Sequence, residues 1–149
     1  MIFVTVGTTP FDSLIEYLDN MQSQEEIILQ ISKDAKYKPK NKKYFEFIGN
    51  INDYYERASL IITHAGAGSI YNLLEKNKKI IIVPNTERID NHQLDITEYM
   101  ESENYALTCL DLNSLEVMIK NIDSYNLKIY EKEKFFKDKE ITELIKNLY

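Results

Sequence analysis

Glycine, serine and histidine follow one apolar run of the chain at a spacing suited to binding a phosphate. The run Ser59–Thr63 is followed by His64 and then by two glycines. Those glycines, Gly66 and Gly68, stand just before Ser69, where a helical pattern begins. Glycines let the backbone approach a ligand closely, and the first N–H groups of a helix point at an anion. The spacing therefore predicts a site for a phosphate-bearing ligand.

Two further loops carry polar residues at corresponding places. They hold Gly7, Thr8 and Thr9 after the first apolar run, and Asn91, His92 and Gln93 after the run that ends at Pro84. In a doubly wound sheet the carboxyl ends of neighbouring strands bracket the ligand crevice, so these loops could face one pocket. An ordinary strand-to-helix turn, with Gly7 at a positive φ, explains the first loop equally well. The residues alone leave both readings open.

Other kinds of site are disfavoured by what the chain lacks. There is no P-loop and no G-x-S-x-G elbow, and Tyr71 stands where a dinucleotide fingerprint needs its third glycine. His64 and His92 are the only histidines and Cys109 is the only cysteine, so no metal-ligand spacing is present. The strand-like surroundings of Cys109 favour a buried, inert thiol over a reactive one.

Length and charge restrict the class of protein. A chain of 149 residues fits one domain with a proper core. Its net charge of −6 argues against a nucleic-acid partner. No stretch approaches the roughly 20 apolar residues of a membrane span, and the N-terminus lacks a basic leader. We expect a cytoplasmic protein, at most peripheral to a membrane.

The elements that must hold these loops alternate along the chain. Short, β-branched runs predict strands at 2–6, 26–32, 44–48, 59–63, 79–84 and 105–108. Helices are expected at 11–21, 51–57, 67–77, 91–102, 112–123 and 131–147, with Thr9 or Asp12 and Asp111 or Asn113 as N-caps. Near-continuous apolar runs indicate strands buried on both faces. The prediction is an α/β fold with a doubly wound, mainly parallel, Rossmann-like sheet.

One segment has a biased composition. Residues 33–43 hold six lysines and one aspartate. The simpler interpretation is a solvated connection between the second and third strands. The alternative is attraction to an anionic membrane surface, worth about 1 kcal/mol per lysine.

Three segments together resemble a known family. Met1–Asp12, Thr63–Ser69 and Asn91–Gln93, in that order, are similar to the family 28 glycosyltransferase C-terminal domain. The resemblance covers about residues 1–110. It is closer to the small subunits of two-part enzymes, namely the dolichol-pathway N-acetylglucosamine transferase and bacterial capsule and exopolysaccharide transferases of the PssE kind.

The resemblance implies that residues 1–149 form a single UDP-sugar-binding domain, the C-terminal half of a GT-B fold. The donor-binding positions it implies are Gly7, Thr8, Thr9, Ile48, Gly49, Gly66, Ala67, Gly68, Ser69, Asn72, Asn91, His92 and Gln93. Among these, Phe47–Gly49 would hold the uracil and Gly66–Ser69 the diphosphate. Relatives often carry a ribose-binding Glu at position 72, where this chain has Asn72; Glu75 is a poorer substitute. His64 and Ser69 are the implied catalytic positions, in electrostatic or positioning roles.

The implied reaction is inverting transfer of a sugar from a UDP-sugar, without metal or cofactor. The acceptor groove and general base would lie on a separate, membrane-associated subunit that binds a lipid-linked sugar acceptor in bacterial polysaccharide synthesis. The chain would then be peripheral at the inner face of the membrane through that partner, and isolated copies could form a homo-oligomer. A non-catalytic nucleotide-sugar binding or regulatory module is the alternative.

The C-terminal segment 130–149 has an apolar stripe at helical spacing. The stripe consists of Ile141, Leu144, Ile145 and Leu148, preceded by Phe135 and Phe136. Such a stripe either closes the core of its own domain or docks the partner subunit.

Overall fold

The fold is taken from a computed structural model, which describes residues 1–46, 49–85, 87 and 91–131, without the side chains of Asn91 and His92. The strands in these residues are β1 (Ile2–Thr5), β2 (Ile27–Ile31), β3 (Lys43–Glu46), β4 (Leu60–Thr63), β5 (Ile80–Ile82) and β6 (Leu107–Thr108). The α-helices are α1 (Asp12–Asn20), α2 (Asn52–Arg57), α3 (Ala67–Glu75), α4 (Asn91–Ser102) and α5 (Leu115–Lys120). Short 3-10 turns at Leu112–Ser114 and Ile122–Ser124 flank α5.

The sheet has the order β3-β2-β1-β4-β5-β6, and every pairing is parallel. This confirms the predicted doubly wound α/β fold. The strand order reverses between β1 and β4, whose last residues, Thr5 and Thr63, are paired. A crevice at the carboxyl ends of the strands opens at such a reversal. The Gly7 loop and the His64–Gly66 loop therefore leave the sheet side by side.

The central strands are buried on both faces, as their continuous apolar runs predicted. On β4, Ile62 packs into the core that contains α1 and Ile61 into the core that contains α3. Alternate residues of a strand face opposite sides, so one run of isoleucines serves both cores. Cys109 is buried, as expected, and its burial raises the pKa of its thiol.

Helix starts are where the prediction was partly wrong. The N-cap of α1 is Phe11, and neither Thr9 nor Asp12 caps it with a side chain. Instead, the Ser13 N–H donates to Glu87 Oε1 (2.9 Å), a residue from the loop after β5. The Asp111 cap is confirmed, because its side chain accepts from the Asn113 N–H. The long helix expected at 112–123 is α5 with its two 3-10 turns.

Residues 33–43, which we call the lysine strap, connect β2 to β3 with five of their six lysines exposed, which agrees with the solvated connection of the simpler interpretation. Ala35 and Pro39 are buried while Lys36, Lys38 and Lys40 are exposed. This alternation resembles that of a strand lying on a surface.

The buried carboxylate of Asp19, on α1, holds the end of the strap. It accepts the N–H groups of Lys40, Asn41 and Lys42 (each 2.9 Å) and the Tyr37 hydroxyl (2.7 Å). Burial opposes ionisation of Asp19, but these hydrogen bonds outweigh it and hold the pKa below its usual value. Lys42 Nζ donates to the Asp19 and Met21 carbonyls at the end of α1, a favourable place for a cation.

Two parts of the prediction concern residues that the structure does not describe. Phe47, Ile48 and the stripe within 132–149 lie outside the described residues. Within the described ranges, no helix combines the length and apolarity needed to cross a membrane.

Candidate functional site

The His64 imidazole lies between the two glycine loops. A Cβ on Gly66 would stand 2.9 Å from His64 Nε2, and a Cβ on Gly7 would stand 3.2 Å from Cε1. Only glycine leaves room for the ring at Gly66, and Gly7 also has a positive φ of 66°, which confirms that expectation. The loops after β1 and β4 are therefore joined through one histidine.

The surroundings of His64 favour its neutral form. Burial lowers its pKa, and a backbone hydrogen-bond interaction with Thr5 offsets this only in part. Its Nδ1 is buried and, within the described residues, has no hydrogen-bond partner of normal geometry. A neutral imidazole can donate from one nitrogen and accept at the other, but it adds no positive charge to the site.

The N-terminus of α3 is open to a ligand. Gly66 is its N-cap and no side chain caps it. Ala67 and Gly68 are exposed, and a Cβ on Gly68 would meet nothing within 4 Å. The first N–H groups of a helix have no intrahelical partner. These N–H groups, which lack an intrahelical partner, and the helix dipole together favour the binding of an anion.

Ser69 lies in the first turn of α3, as predicted, and is half-buried. It is not the N-cap. Burial raises the pKa of Tyr55, and side-chain hydrogen bonding with Thr5 and Ser69 opposes that rise. The Ser69 side chain therefore lies near the Tyr55 hydroxyl. Ser69 thus faces α2.

The side chain of Gln30, on the neighbouring strand β2, holds the Gly7 loop through hydrogen bonds. This fully buried residue accepts at Oε1 from the Val6 N–H (3.1 Å) and the Gly7 N–H (3.0 Å). Its Nε2 donates to the Gly7 carbonyl (2.9 Å). Nearby, Ser32 Oγ donates to the Thr8 carbonyl (2.8 Å). The positive φ of Gly7 is thus fixed by a side chain of the neighbouring strand.

A second set of bonds joins the loop after β5 to the loop after β1. The Asn85 side chain donates to the Pro10 carbonyl (3.0 Å) and accepts from the Glu87 N–H (3.0 Å). Together with the bond from Ser13 to Glu87, these contacts form what we call the cross-loop clamp. The Asn85 backbone N–H donates to Gln93 Oε1 (3.2 Å), which places Gln93 beside the clamp.

The other predicted residues are less closely gathered. Gly49 follows β3, which is three strands from β4, about 14 Å at ~4.8 Å per strand. Asn72 is exposed on the second turn of α3. Asn91 and His92 begin α4, as predicted. No contact among the described side chains brings Gly49 or Asn72 to His64.

Gln30, Ser32, Asn85 and Glu87 were not predicted as site residues. A signal existed for Gln30, a lone amide within the apolar run of β2. Asn85 follows Pro84, a setting typical of loop structure, and its bonds to Pro10 and Glu87 agree with that. Nothing in the local sequence reveals that Glu87 reaches Ser13, because the contact spans 74 residues.

A cavity of about 700 Å³ lies at the opposite end of the sheet, where the strands begin. Its lining includes Ile2, Met21 and Leu60, near the amino ends of β1 and β4, and none of the predicted site residues. Ligands of open α/β sheets bind at the carboxyl ends of strands, so we place the candidate site at His64 and not in this cavity.

The sheet order, the glycine loops and the open helix end are those of an α/β domain of the doubly wound class. Residues 1–148 match the glycosyltransferase family 28 C-terminal domain, and the chain belongs to that family. It is 34% identical over 122 residues to a human UDP-N-acetylglucosamine transferase subunit, ALG13, covering 72% of this chain and 11% of that protein.

Two further relatives extend the comparison. The chain is 29% identical over 117 residues to a UDP-N-acetylglucosamine–N-acetylmuramyl-(pentapeptide) pyrophosphoryl-undecaprenol N-acetylglucosamine transferase from Thermosipho melanesiensis, covering 76% of this chain and 35% of that enzyme. The crystal structure of Acinetobacter baumannii MurG shares the fold, with a TM-score of 0.62, 20% identity, and coverage of 81% of this chain and 40% of that one. The chain thus spans only a part of each.

Proposed function

We propose that this chain is the donor-binding subunit of a UDP-sugar glycosyltransferase, with UDP-N-acetylglucosamine as the donor. The observation that carries the proposal is the meeting of the Gly7 and Gly66 loops at a neutral His64, beside the uncapped start of α3. The human and Thermosipho melanesiensis relatives carry UDP-N-acetylglucosamine transferase in their names, which supports the choice of sugar nucleotide.

The geometry suits departure of a diphosphate. Sugar transfer builds negative charge on the leaving nucleotide, and fixed N–H groups at Ala67 and Gly68 would stabilise that charge without moving. The exposed position of Gly68 leaves room for a phosphate against the backbone. A divalent ion is not needed in this mechanism, because the helix start supplies the electrostatic stabilisation. His64 would contact or position a phosphate as a neutral hydrogen-bonding group.

Acceptor binding and proton removal belong, in this proposal, to a second subunit. An inverting displacement requires a general base for the acceptor hydroxyl, and we assign that base to the partner. One relative is named as a subunit and another as acting on an undecaprenol-linked acceptor, which supports a membrane-associated partner and a lipid-linked acceptor. Bacterial capsule or exopolysaccharide synthesis, at the inner face of the membrane, remains part of the proposal.

The test is a binding titration of the isolated chain by calorimetry. UDP and UDP-N-acetylglucosamine are compared with UMP, ADP and UDP-glucose, each with magnesium and with EDTA. We expect binding of the uridine diphosphates in both conditions, and weaker binding of UMP because it lacks the second phosphate.

A strict requirement for added metal would contradict the assigned role of α3. Equal affinity for ADP would contradict the choice of uridine, and no binding of any diphosphate would contradict the site itself.

A further inference from the structure

The cross-loop clamp determines how Gln93 is presented at the candidate donor site. A backbone N–H can only donate, so the atom of the Gln93 amide that faces the Asn85 N–H must be its oxygen. The amide nitrogen is then on the other side of the group. The N–H donors of that nitrogen suit an acceptor oxygen on a ligand.

Asn85 holds this arrangement through its own side chain. It is only 3% exposed, and both ends of its amide are used: Nδ2 by the Pro10 carbonyl and Oδ1 by the Glu87 N–H. Swapping the two ends would put like groups against each other, so this amide also has one allowed orientation. The position of the Asn85 backbone N–H is thereby fixed relative to the loop after β1.

The loop after β1 is fixed in turn by Gln30 and Ser32 on its other side. Glu87 completes the clamp by accepting the Ser13 N–H in the first turn of α1. Asn85 bonds to Pro10 in the loop after β1, and its own N–H bonds to Gln93 on α4. The Gly7 loop and the start of α4 are therefore tied into one unit.

We infer that Asn85 is a positioning residue for the donor site, which acts by fixing the orientation of the Gln93 amide and by tying it to the loop that carries Gly7. This rests on the proposed function, since it assumes that a UDP-sugar binds between these loops. Asn85 itself is buried, with each end of its amide bonded within the protein, and needs no contact with the ligand.

A double-mutant cycle separates this role from a purely structural one. The four chains are the unaltered protein, Asn85→Ala, Gln93→Ala and the double variant, each titrated with UDP-N-acetylglucosamine and followed by thermal unfolding. If Asn85 acts through Gln93, its replacement lowers donor affinity by about tenfold in the unaltered protein and by less than about twofold in the Gln93→Ala protein. The melting temperature falls on Asn85→Ala in both backgrounds.

Two variants serve as controls. Gln93→Glu keeps an oxygen for the Asn85 N–H but removes the amide donors, so it should lose affinity with little loss of stability. Asp19→Ala removes a comparable set of buried bonds at the far end of α1, so it should lose stability with unchanged affinity. If Asn85→Ala does not fold, Asn85→Asp replaces it in the cycle, because it keeps the acceptor for Glu87 and loses the donor to Pro10.

Equal affinity losses from Asn85→Ala in the two backgrounds would overturn the inference, as would a loss of stability with unaltered affinity. Failure of the unaltered protein to bind any UDP-sugar would instead overturn the proposed function. The two failures are therefore distinguishable.

Discussion

At the scale of single residues, glycine occupies three positions of the site for different physical reasons. Gly7 combines a positive φ with contact to His64, and Gly66 lies too close to the imidazole for any side chain. Gly68 has neither constraint, since a Cβ there meets nothing within 4 Å. A glycine that the fold does not require is best explained by a ligand that approaches its backbone.

We therefore predict opposite effects at Gly66 and Gly68. Gly68→Ala should leave the melting temperature unchanged or raise it, because alanine favours a helix by about 0.5–1 kcal/mol, while UDP affinity falls. Gly68→Val should abolish binding with the fold intact. Gly66→Ala should destabilise the protein, because the ring of His64 must move. Thermal unfolding and UDP titration measure both properties, and normal UDP binding by Gly68→Val would contradict a diphosphate at this loop.

At the scale of elements, the apolar runs predicted the strands well. β1, β2, β4 and β5 each lie within the predicted range, and α4 has the predicted bounds, because continuous isoleucine-rich runs and helical periodicity are local signals. The anchoring of the lysine strap could not be predicted, since it depends on Asp19, a distant carboxylate on α1. The clamp escaped prediction for the same reason: Asn85 and Glu87 bond to residues near the other end of the chain. Sequence patterns located the glycine loops but not the side chains that fix them.

The strap gives a prediction about pH. The folded pKa of Asp19 lies below its usual value of 3.8, so its contribution to stability is fully present above that value and is lost as pH falls through the folded pKa. Asp19→Ala should cost about 1–3 kcal/mol at pH 7, because it leaves three partly buried N–H groups without their acceptor. The difference from the unaltered protein should shrink below about pH 3.8. Urea unfolding at several pH values measures it, with the exposed Glu16→Ala on the same helix as the control; a pH-independent difference would show that the charge is not responsible.

At the scale of the whole molecule, the candidate site lies at one open end of the sheet. Its loops rise from the carboxyl ends of β1, β4 and β5, while the cavity of about 700 Å³ lies at the opposite end. This arrangement fits the proposal that another subunit completes the site. The expectation of a second subunit came only from the resemblance to a family, because no local sequence pattern indicates that another protein completes the site.

We predict that the isolated chain binds UDP but transfers little or no sugar to a lipid-linked acceptor. The paired variant Ile145→Asp and Leu148→Asp should lose binding to the co-expressed acceptor subunit while still binding UDP. Thr142→Asp with Asn147→Asp adds the same charge at polar positions of the same segment and should retain the partner. Transfer at full rate by the single chain would refute the two-subunit proposal, and unfolding of the apolar-stripe variant would assign the stripe to the core of this domain.

The pairing of β1 with β4 also has a consequence for how the chain folds. Ile2 pairs with Leu60, so more than a third of the polypeptide must be made before the central strand gains its second neighbour. Until then β1 exposes an apolar edge that can pair with another nascent chain. Contacts so distant in sequence slow folding. We expect refolding yields to fall as protein concentration rises, and an excised fragment of residues 1–58 to aggregate where the full chain stays in solution.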